Sequence, residues 1–147
     1  YGSVRHSFEG LCGLLREGVR AVRDYAPKAD VMLHVALGGM VEETQRFFDA
    51  MAEYGVDYDV IGQSYYPEWH GTLEDLERNL KSMAKEIGKP IYVVEYRDYF
   101  LDIDRIVKAL PDGLGLGTFI WEATSPQWGK LFDEKGASTP AIDDYNR

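Results

Sequence analysis

The chain has 147 residues, the size of one ordinary domain, and 45% of them are hydrophobic, which is enough to build a core. Its 16 basic and 25 acidic residues give a formal net charge of −9, which argues against nucleic acid or an anionic membrane as a partner. Cys12 is the only cysteine, so no intrachain disulfide and no cysteine-based metal site can form. His6, His34 and His70 lie far apart without ligand spacing, so we predict no metal and no cofactor. No run of about 18 apolar residues is present, so the sequence predicts no transmembrane helix.

The first half of the chain alternates between helical and strand patterns. Apolar residues at helical spacing predict a first helix from Phe8 to Val22. The apolar run at residues 31–37 predicts the first strand. A second amphipathic helix follows, with its apolar face formed by Phe47, Phe48, Met51 and Ala52. Residues 58–65 are predicted as the second strand.

The second half of the chain continues the alternation. Thr72 is followed three residues later by Asp75, an arrangement typical of a capping box at a helix start. The buried stripe of this helix is predicted to consist of Leu73, Leu76, Leu80, Met83 and Ile87. A strand, a shorter helix and a fourth strand are predicted at residues 91–95, 103–110 and 114–121.

Strands that alternate with helices of this length predict parallel βαβ units. The strand ends at His34, Ser64, Glu95 and Trp121 stand roughly 25 to 30 residues apart, close to the length of one βα unit. Four such units make half of a (β/α)8 barrel, so the predicted fold class is α/β with residues 1–147 as a single segment. Glu95 ends a strand at the place where such barrels carry functional groups, although a salt-bridged structural glutamate fits this segment equally well.

Several stretches of the sequence resemble one family of enzymes in order and spacing. They are Asp59–Pro67 followed by Trp69, Gly71–Leu73, Lys89–Glu95, Phe119–Glu122 and Leu131–Asp133. Together they resemble the glycoside hydrolase family 53 endo-β-1,4-galactanases over essentially the whole chain. The resemblance implies the C-terminal half of a barrel that cleaves β-1,4-galactan with retention, and it suggests an extracellular or periplasmic protein.

The resemblance also implies roles for individual residues. Glu95 matches the nucleophilic carboxylate at the end of strand seven of the family's barrel. Either Tyr65 or Tyr66 would donate a hydrogen bond to it, with packing in the core as the alternative for each. The residues expected to bind substrate are His34, Ser64, Tyr65, Tyr66, Trp69, Trp121 and Glu122; of these, Trp121 matches the floor of the sugar subsite beside the cleaved bond.

The sequence departs from the family pattern at several positions. Residues 35–38 replace a usual Asn-Gly, Glu68 replaces an aromatic residue, and Ala123 replaces a proline. Galactan remains the expected substrate, but these changes weaken its lead over other β-linked polysaccharides. The loop at residues 124–130 is too short for the calcium site of some members, so no calcium is expected.

The family's acid/base glutamate follows an asparagine, and this sequence contains no Asn-Glu pair. Tyr1–Ser3 resembles the loop just downstream of that pair, while Glu9 and Glu17 belong to the first helix and are poor substitutes. One interpretation is therefore a retaining glycosidase whose N-terminal half is absent. The other is a non-catalytic half-barrel that binds carbohydrate or serves in assembly. The expected partners are a β-linked polysaccharide and either the absent half-barrel or a second copy of the chain.

Overall fold

The computed structural model describes residues 8–145, with side chains described up to residue 143. Tyr1–Ser3 and His6 lie outside this range. The elements in chain order are α1 (Glu9–Tyr25), β1 (Met32–Val35), α2 (Val41–Glu53), β2 (Val60–Ser64), α3 (Pro67–His70), α4 (Leu73–Glu86), β3 (Ile91–Glu95), α5 (Phe100–Lys108), a 3-10 turn (Pro111–Gly113), β4 (Gly115–Thr118) and α6 (Ala141–Tyr145).

The strands form a parallel four-stranded sheet in the order β1-β2-β3-β4. This arrangement confirms the predicted α/β class. Each strand lies beside the next one in the chain, as in consecutive units of a barrel. Within residues 8–145, β1 and β4 each pair with one strand only, so each leaves one edge of the sheet open.

The predicted strand at 91–95 matches β3, while the other three predictions were too long. After β1 the chain turns, since the Leu37 carbonyl accepts a hydrogen bond from the Met40 N–H at 2.9 Å. After β4 pairing continues irregularly: the Phe119 N–H donates to the Val93 carbonyl at 2.8 Å. The short helices α3 and α6 were not predicted.

One face of the sheet packs against helices and forms the core. Strand side chains of this face include Leu33, Val35, Ile61, Ile91 and Val93. The helices contribute buried residues at the expected spacing, including Phe48, Met51, Leu76, Leu80, Met83, Ile103 and Val107. Helix α4 begins with the predicted capping box: the Thr72 hydroxyl accepts from the Asp75 N–H, and the Asp75 carboxylate accepts from the Thr72 N–H. These two bonds satisfy backbone N–H groups at the start of α4.

The opposite face of the sheet is open. Met32 is 37% exposed and Phe119 is 55% exposed, although both are apolar. Gly62 lies on this face beside Met32, because a Cβ at Gly62 would come within 2.7 Å of the Met32 sulfur. In a closed barrel this face is the interior, where side chains fill the space between strands. No helix within the described part of the chain is long and apolar enough to cross a membrane.

Candidate active site

The carboxyl ends of the strands meet at one edge of the sheet, and three of the predicted site residues come together there. His34 lies opposite Gly62 in the register, and Ser64 lies opposite Glu95. An irregularity between Gln63 and Ser64 shifts this second pairing by one residue. The shift places Glu95 beside Ser64 and His34, on the open face of the sheet.

Glu95 has a polar environment at this edge. Its Oε1 accepts a hydrogen bond from the Tyr66 hydroxyl at 3.0 Å. Its Oε2 lies 3.8 Å from the His34 Nε2, and this nitrogen is also 2.5 Å from the Ser64 hydroxyl. The Glu95 side chain keeps 26% of its surface exposed, so a ligand can reach the carboxylate from the cleft.

The two neighbouring tyrosines have different environments, which settles an alternative that the sequence left open. Tyr66 contacts Glu95, whereas Tyr65 is 1% exposed and donates its hydroxyl hydrogen to the Gly71 carbonyl at 3.0 Å. Successive residues of an extended chain point to opposite sides, so only one of the two can face the cleft. The expectation that Tyr65 binds substrate is thereby corrected, because its side chain lies in the core.

Burial and charge both act on these phenols. Burial, followed by the hydrogen bond to Glu95, raises the pKa of the Tyr66 hydroxyl well above its ordinary value. The Glu122 carboxylate adds a smaller contribution in the same direction, so its charge reaches this site. Burial also raises the pKa of Tyr65 to about 12. Tyr66 therefore remains a hydrogen-bond donor over the whole neutral range.

Two exposed tryptophans lie next to residues that adjoin or contact Glu95. Trp121 is 43% exposed, and its backbone N–H donates to the carbonyl of Tyr96, the residue that follows Glu95, at 2.8 Å. Trp69 is 70% exposed and packs edge-on against Tyr66, with ring centroids 5.4 Å apart. Such flat apolar faces suit the C–H face of a sugar ring.

A charged cluster at the same edge was missed by the sequence analysis. Arg97 donates to Glu68 at 2.7 Å and to Asp98 at 2.8 Å, and Lys130 donates to Asp98 at 2.9 Å. The Arg97 guanidinium also lies 5.8 Å from the ring centroid of Trp128. The cluster joins the segments that follow β2, β3 and β4, and it explains the acidic residue at position 68. Arg97 and Asp98 directly follow a strand end, which is the signal that could have revealed the cluster.

The ion pairs of this cluster perturb Asp98. Burial by itself would raise the pKa of this carboxyl, but hydrogen bonds from Arg97 and Lys130 bring it below its usual range. Among residues 8–145 no group of three or more His, Cys, Asp or Glu side chains is arranged to hold a metal ion.

Comparison with known proteins identifies the family. Residues 2–104 match the sequence model of glycosyl hydrolase family 53. The chain belongs to glycoside hydrolase family 53. This confirms the resemblance seen in the sequence, and Glu95 lies within the matched segment.

The relatives of this family 53 chain include two bacterial enzymes. It is 39% identical to the endo-β-1,4-galactanase of Bacillus subtilis over 58% of this chain and 20% of that protein. It is 41% identical to the arabinogalactan endo-β-1,4-galactanase of Cellvibrio japonicus over 56% of this chain and 23% of that protein. The chain thus spans well under two thirds of the length of these relatives.

A solved structure supports the fold. A fungal β-1,4-galactanase superposes with a TM-score of 0.84 at 20% identity, over 96% of this chain and 55% of the other. At this identity the likeness concerns the fold alone. It shows that the four strands described above correspond to about half of a larger barrel.

Proposed function

We propose that this family 53 chain supplies the nucleophile-bearing half of a retaining endo-β-1,4-galactanase. The observation that carries the proposal is the environment of Glu95: a carboxylate at the end of a barrel strand, held by the Tyr66 hydroxyl and open to the cleft. The substrate in this proposal is that of the two relatives, the endo-β-1,4-galactanases of Bacillus subtilis and Cellvibrio japonicus.

In the proposed reaction Glu95 attacks the anomeric carbon of a galactosyl unit and forms a covalent glycosyl ester. Because the Tyr66 hydroxyl donates a hydrogen bond to the Glu95 Oε1, the other oxygen, Oε2, is the attacking atom in this proposal. A second carboxyl group, about 5 to 5.5 Å away in retaining enzymes, protonates the departing oxygen and then activates the water that cleaves the ester. Because the chain has no Asn-Glu pair, this acid/base group comes from outside these residues.

The other site residues bind and orient the sugar in this proposal. Trp121 provides the floor for the ring at the cleaved bond, and Trp69 a more distant stacking surface. His34 and Ser64 form a hydrogen-bonded pair beside the Glu95 Oε2 and offer polar contacts to sugar hydroxyl groups. Glu122 accepts a hydrogen bond from a sugar hydroxyl group in the cleft.

A further part of the proposal concerns the partner of the open face. Among residues 8–145 the outer edges of β1 and β4 are unpaired, and the apolar residues Met32 and Phe119 are exposed. We infer that four more strands cover these edges and this face. A second half-barrel, either the N-terminal half or another copy of this chain, pairs with both edges. We call the assembly of this chain with the N-terminal half, which would supply the acid/base carboxyl group, the complete barrel.

Two alternatives each have an observation in their favour. The absence of an Asn-Glu pair favours a non-catalytic half-barrel that binds carbohydrate or serves in assembly. The replacement of the usual Asn-Gly by residues 35–38 favours a glycosidase of the same clan with another β-linked polysaccharide as its substrate.

Hydrolysis of β-1,4-galactan by the complete barrel tests the proposal. We expect short oligosaccharides whose new reducing ends first appear as the β-anomer in proton NMR, and we expect Glu95→Gln to abolish their release. Preference for xylan, mannan or cellulose would replace the substrate but keep the mechanism. Release of the α-anomer first would overturn the nucleophilic role of Glu95, because inverting enzymes form no covalent ester.

A further inference from the structure

His70 is a buried histidine that closes the short helix α3 onto its first residues. The His70 Nδ1 accepts a hydrogen bond from the Tyr66 N–H at 3.0 Å, and His70 is only 7% exposed. In return, the Tyr66 carbonyl accepts from the N–H groups of Trp69 at 3.0 Å and His70 at 2.9 Å. Both polar groups of the Tyr66 backbone are thus satisfied within this single turn.

The imidazole also fixes the surroundings of Tyr66. Its ring lies 6.2 Å from the Tyr66 ring and 6.5 Å from the Trp69 ring, measured between centroids. From the other side the loop after β1 approaches so closely that a Cβ at Gly39 would lie 2.0 Å from the His70 carbonyl oxygen. His70 therefore has little room to move. Loss of its Nδ1 would leave a buried N–H without a partner, at the residue whose side chain contacts Glu95.

We propose that His70 is a positioning residue: its neutral imidazole holds the Tyr66 backbone so that the Tyr66 hydroxyl meets Glu95. The Nδ1 can accept a hydrogen bond only when it carries no proton. Protonation of His70 therefore places two donors face to face and releases Tyr66. This role rests on the proposed function of Glu95 as the nucleophile.

The charged and titratable groups around His70 set the direction of the pH dependence. Burial lowers the pKa of His70 below its ordinary value, while Glu95 on β3 and Glu68 on α3 act against this decrease. Tyr65 and Tyr66 pack against the ring and remain protonated at neutral pH. Helix α4 brings Asp75 close to Gly71, but this carboxylate accepts hydrogen bonds from Thr72 and Arg78. The nearby loop at residues 38–40 contributes no titratable group.

The sign of the effect follows from the lowered pKa. The unfolded chain binds the His70 proton more tightly than the folded chain does. The contribution of neutral His70 to the free energy of unfolding is therefore fully present above the ordinary histidine pKa of about 6.5. It is lost as the pH falls through the lower pKa of the folded state. Both the stability and the Tyr66–Glu95 contact should therefore weaken on the acid side of pH 6.5.

Two substitutions in the complete barrel separate positioning from simple packing. His70→Leu removes the acceptor and should lower kcat for galactan about tenfold or more, with little change in KM. His70→Asn places a side-chain oxygen near the position of Nδ1 and should restore most of the activity. This variant should also lack the decrease on the acid side that we expect for the wild type. In a Tyr66→Phe background His70→Leu should have little further effect, because the contact it supports is already gone. Additive losses in that double variant would show a merely structural role.

Nuclear magnetic resonance tests the same proposal without relying on hydrolysis. The His70 ring should be protonated at Nε2 at neutral pH and should titrate below 6.5, and the Tyr66 amide resonance should shift with the same midpoint. In His70→Asn the Tyr66 amide should show no such midpoint. A proton on Nδ1 at neutral pH, or a Tyr66 amide that does not respond to the His70 titration, would overturn the proposal. If the hydrogen bond is found but galactan is not cleaved, the proposed function fails and the positioning of Tyr66 by His70 stands.

Discussion

Replacement of Tyr66 by phenylalanine in the complete barrel removes one oxygen atom and, with it, the hydrogen bond to the Glu95 Oε1 at 3.0 Å. A hydrogen bond to a charged group contributes about 1.5–3 kcal/mol. Tyr66 is only 9% exposed, so water does not readily replace the lost hydroxyl. At about 1.4 kcal/mol for each factor of ten, kcat/KM for galactan should fall roughly 10- to 150-fold.

Tyr65→Phe is the matched control, because it removes the same atom from the adjacent residue. Its hydroxyl donates to the Gly71 carbonyl rather than to Glu95. We expect a loss of about 1 kcal/mol in the free energy of unfolding and nearly unchanged galactan hydrolysis. Steady-state kinetics and thermal unfolding of both variants measure these effects. Equal loss of activity in the two variants, or none in Tyr66→Phe, would refute the assignment of Tyr66 as the hydrogen-bond partner of the nucleophile.

Three further expectations concern the charge, the sugar floor and the open face. Glu95→Gln should lower the pKa of Tyr66, because the Glu95 carboxylate is, next to burial, the main cause that raises this pKa. Ultraviolet titration against the wild type measures the change, and an unchanged titration curve contradicts the expectation. Trp121→Ala should reduce kcat/KM for galactan about fivefold, since a stacked ring contributes roughly 1 kcal/mol; unaltered kinetics would assign Trp121 to packing. The isolated chain should form dimers or aggregates in light scattering, because both edges of the described sheet are open, and it should leave galactan intact, because it has no Asn-Glu pair to supply the acid/base carboxyl group; an active monomer contradicts this.

The α/β class was predictable because apolar runs mark the four strands and apolar periodicity marks the longer helices. The strand at Ile91–Glu95 and the capping box at Thr72 were located to the residue. The first helix shows the limit of such patterns: Leu14 belongs to the apolar series but is 76% exposed. Cys12 and Val19, which are buried, define the packed side of α1, and Leu14 lies on nearly the opposite side of the helix.

The sequence placed His34, Ser64 and Glu95 at neighbouring strand ends, and the structure brings these three together, but the contacts between the side chains could not be predicted. The sequence named Glu95, Tyr65 and Tyr66, yet it could not choose between the tyrosines, because a shift of one residue exchanges the faces of a strand. The irregularity at Gln63 and Ser64 decides this choice, and no single-sequence pattern marks it. Clusters that join separate segments, such as Arg97 with its carboxylate partners, depend on contacts that only the folded chain defines.

The central claim is that Glu95 forms a covalent bond with the sugar, and mass spectrometry of the trapped enzyme tests it most directly. The complete barrel is treated with a 2-fluoro β-galactoside that reacts with the nucleophile but is released slowly, and is then digested and sequenced. We predict one fluorosugar for each complete barrel, attached to the peptide that contains Glu95, and no label on the Glu95→Gln variant. A label on another carboxylate, or normal labelling of Glu95→Gln, would contradict the account.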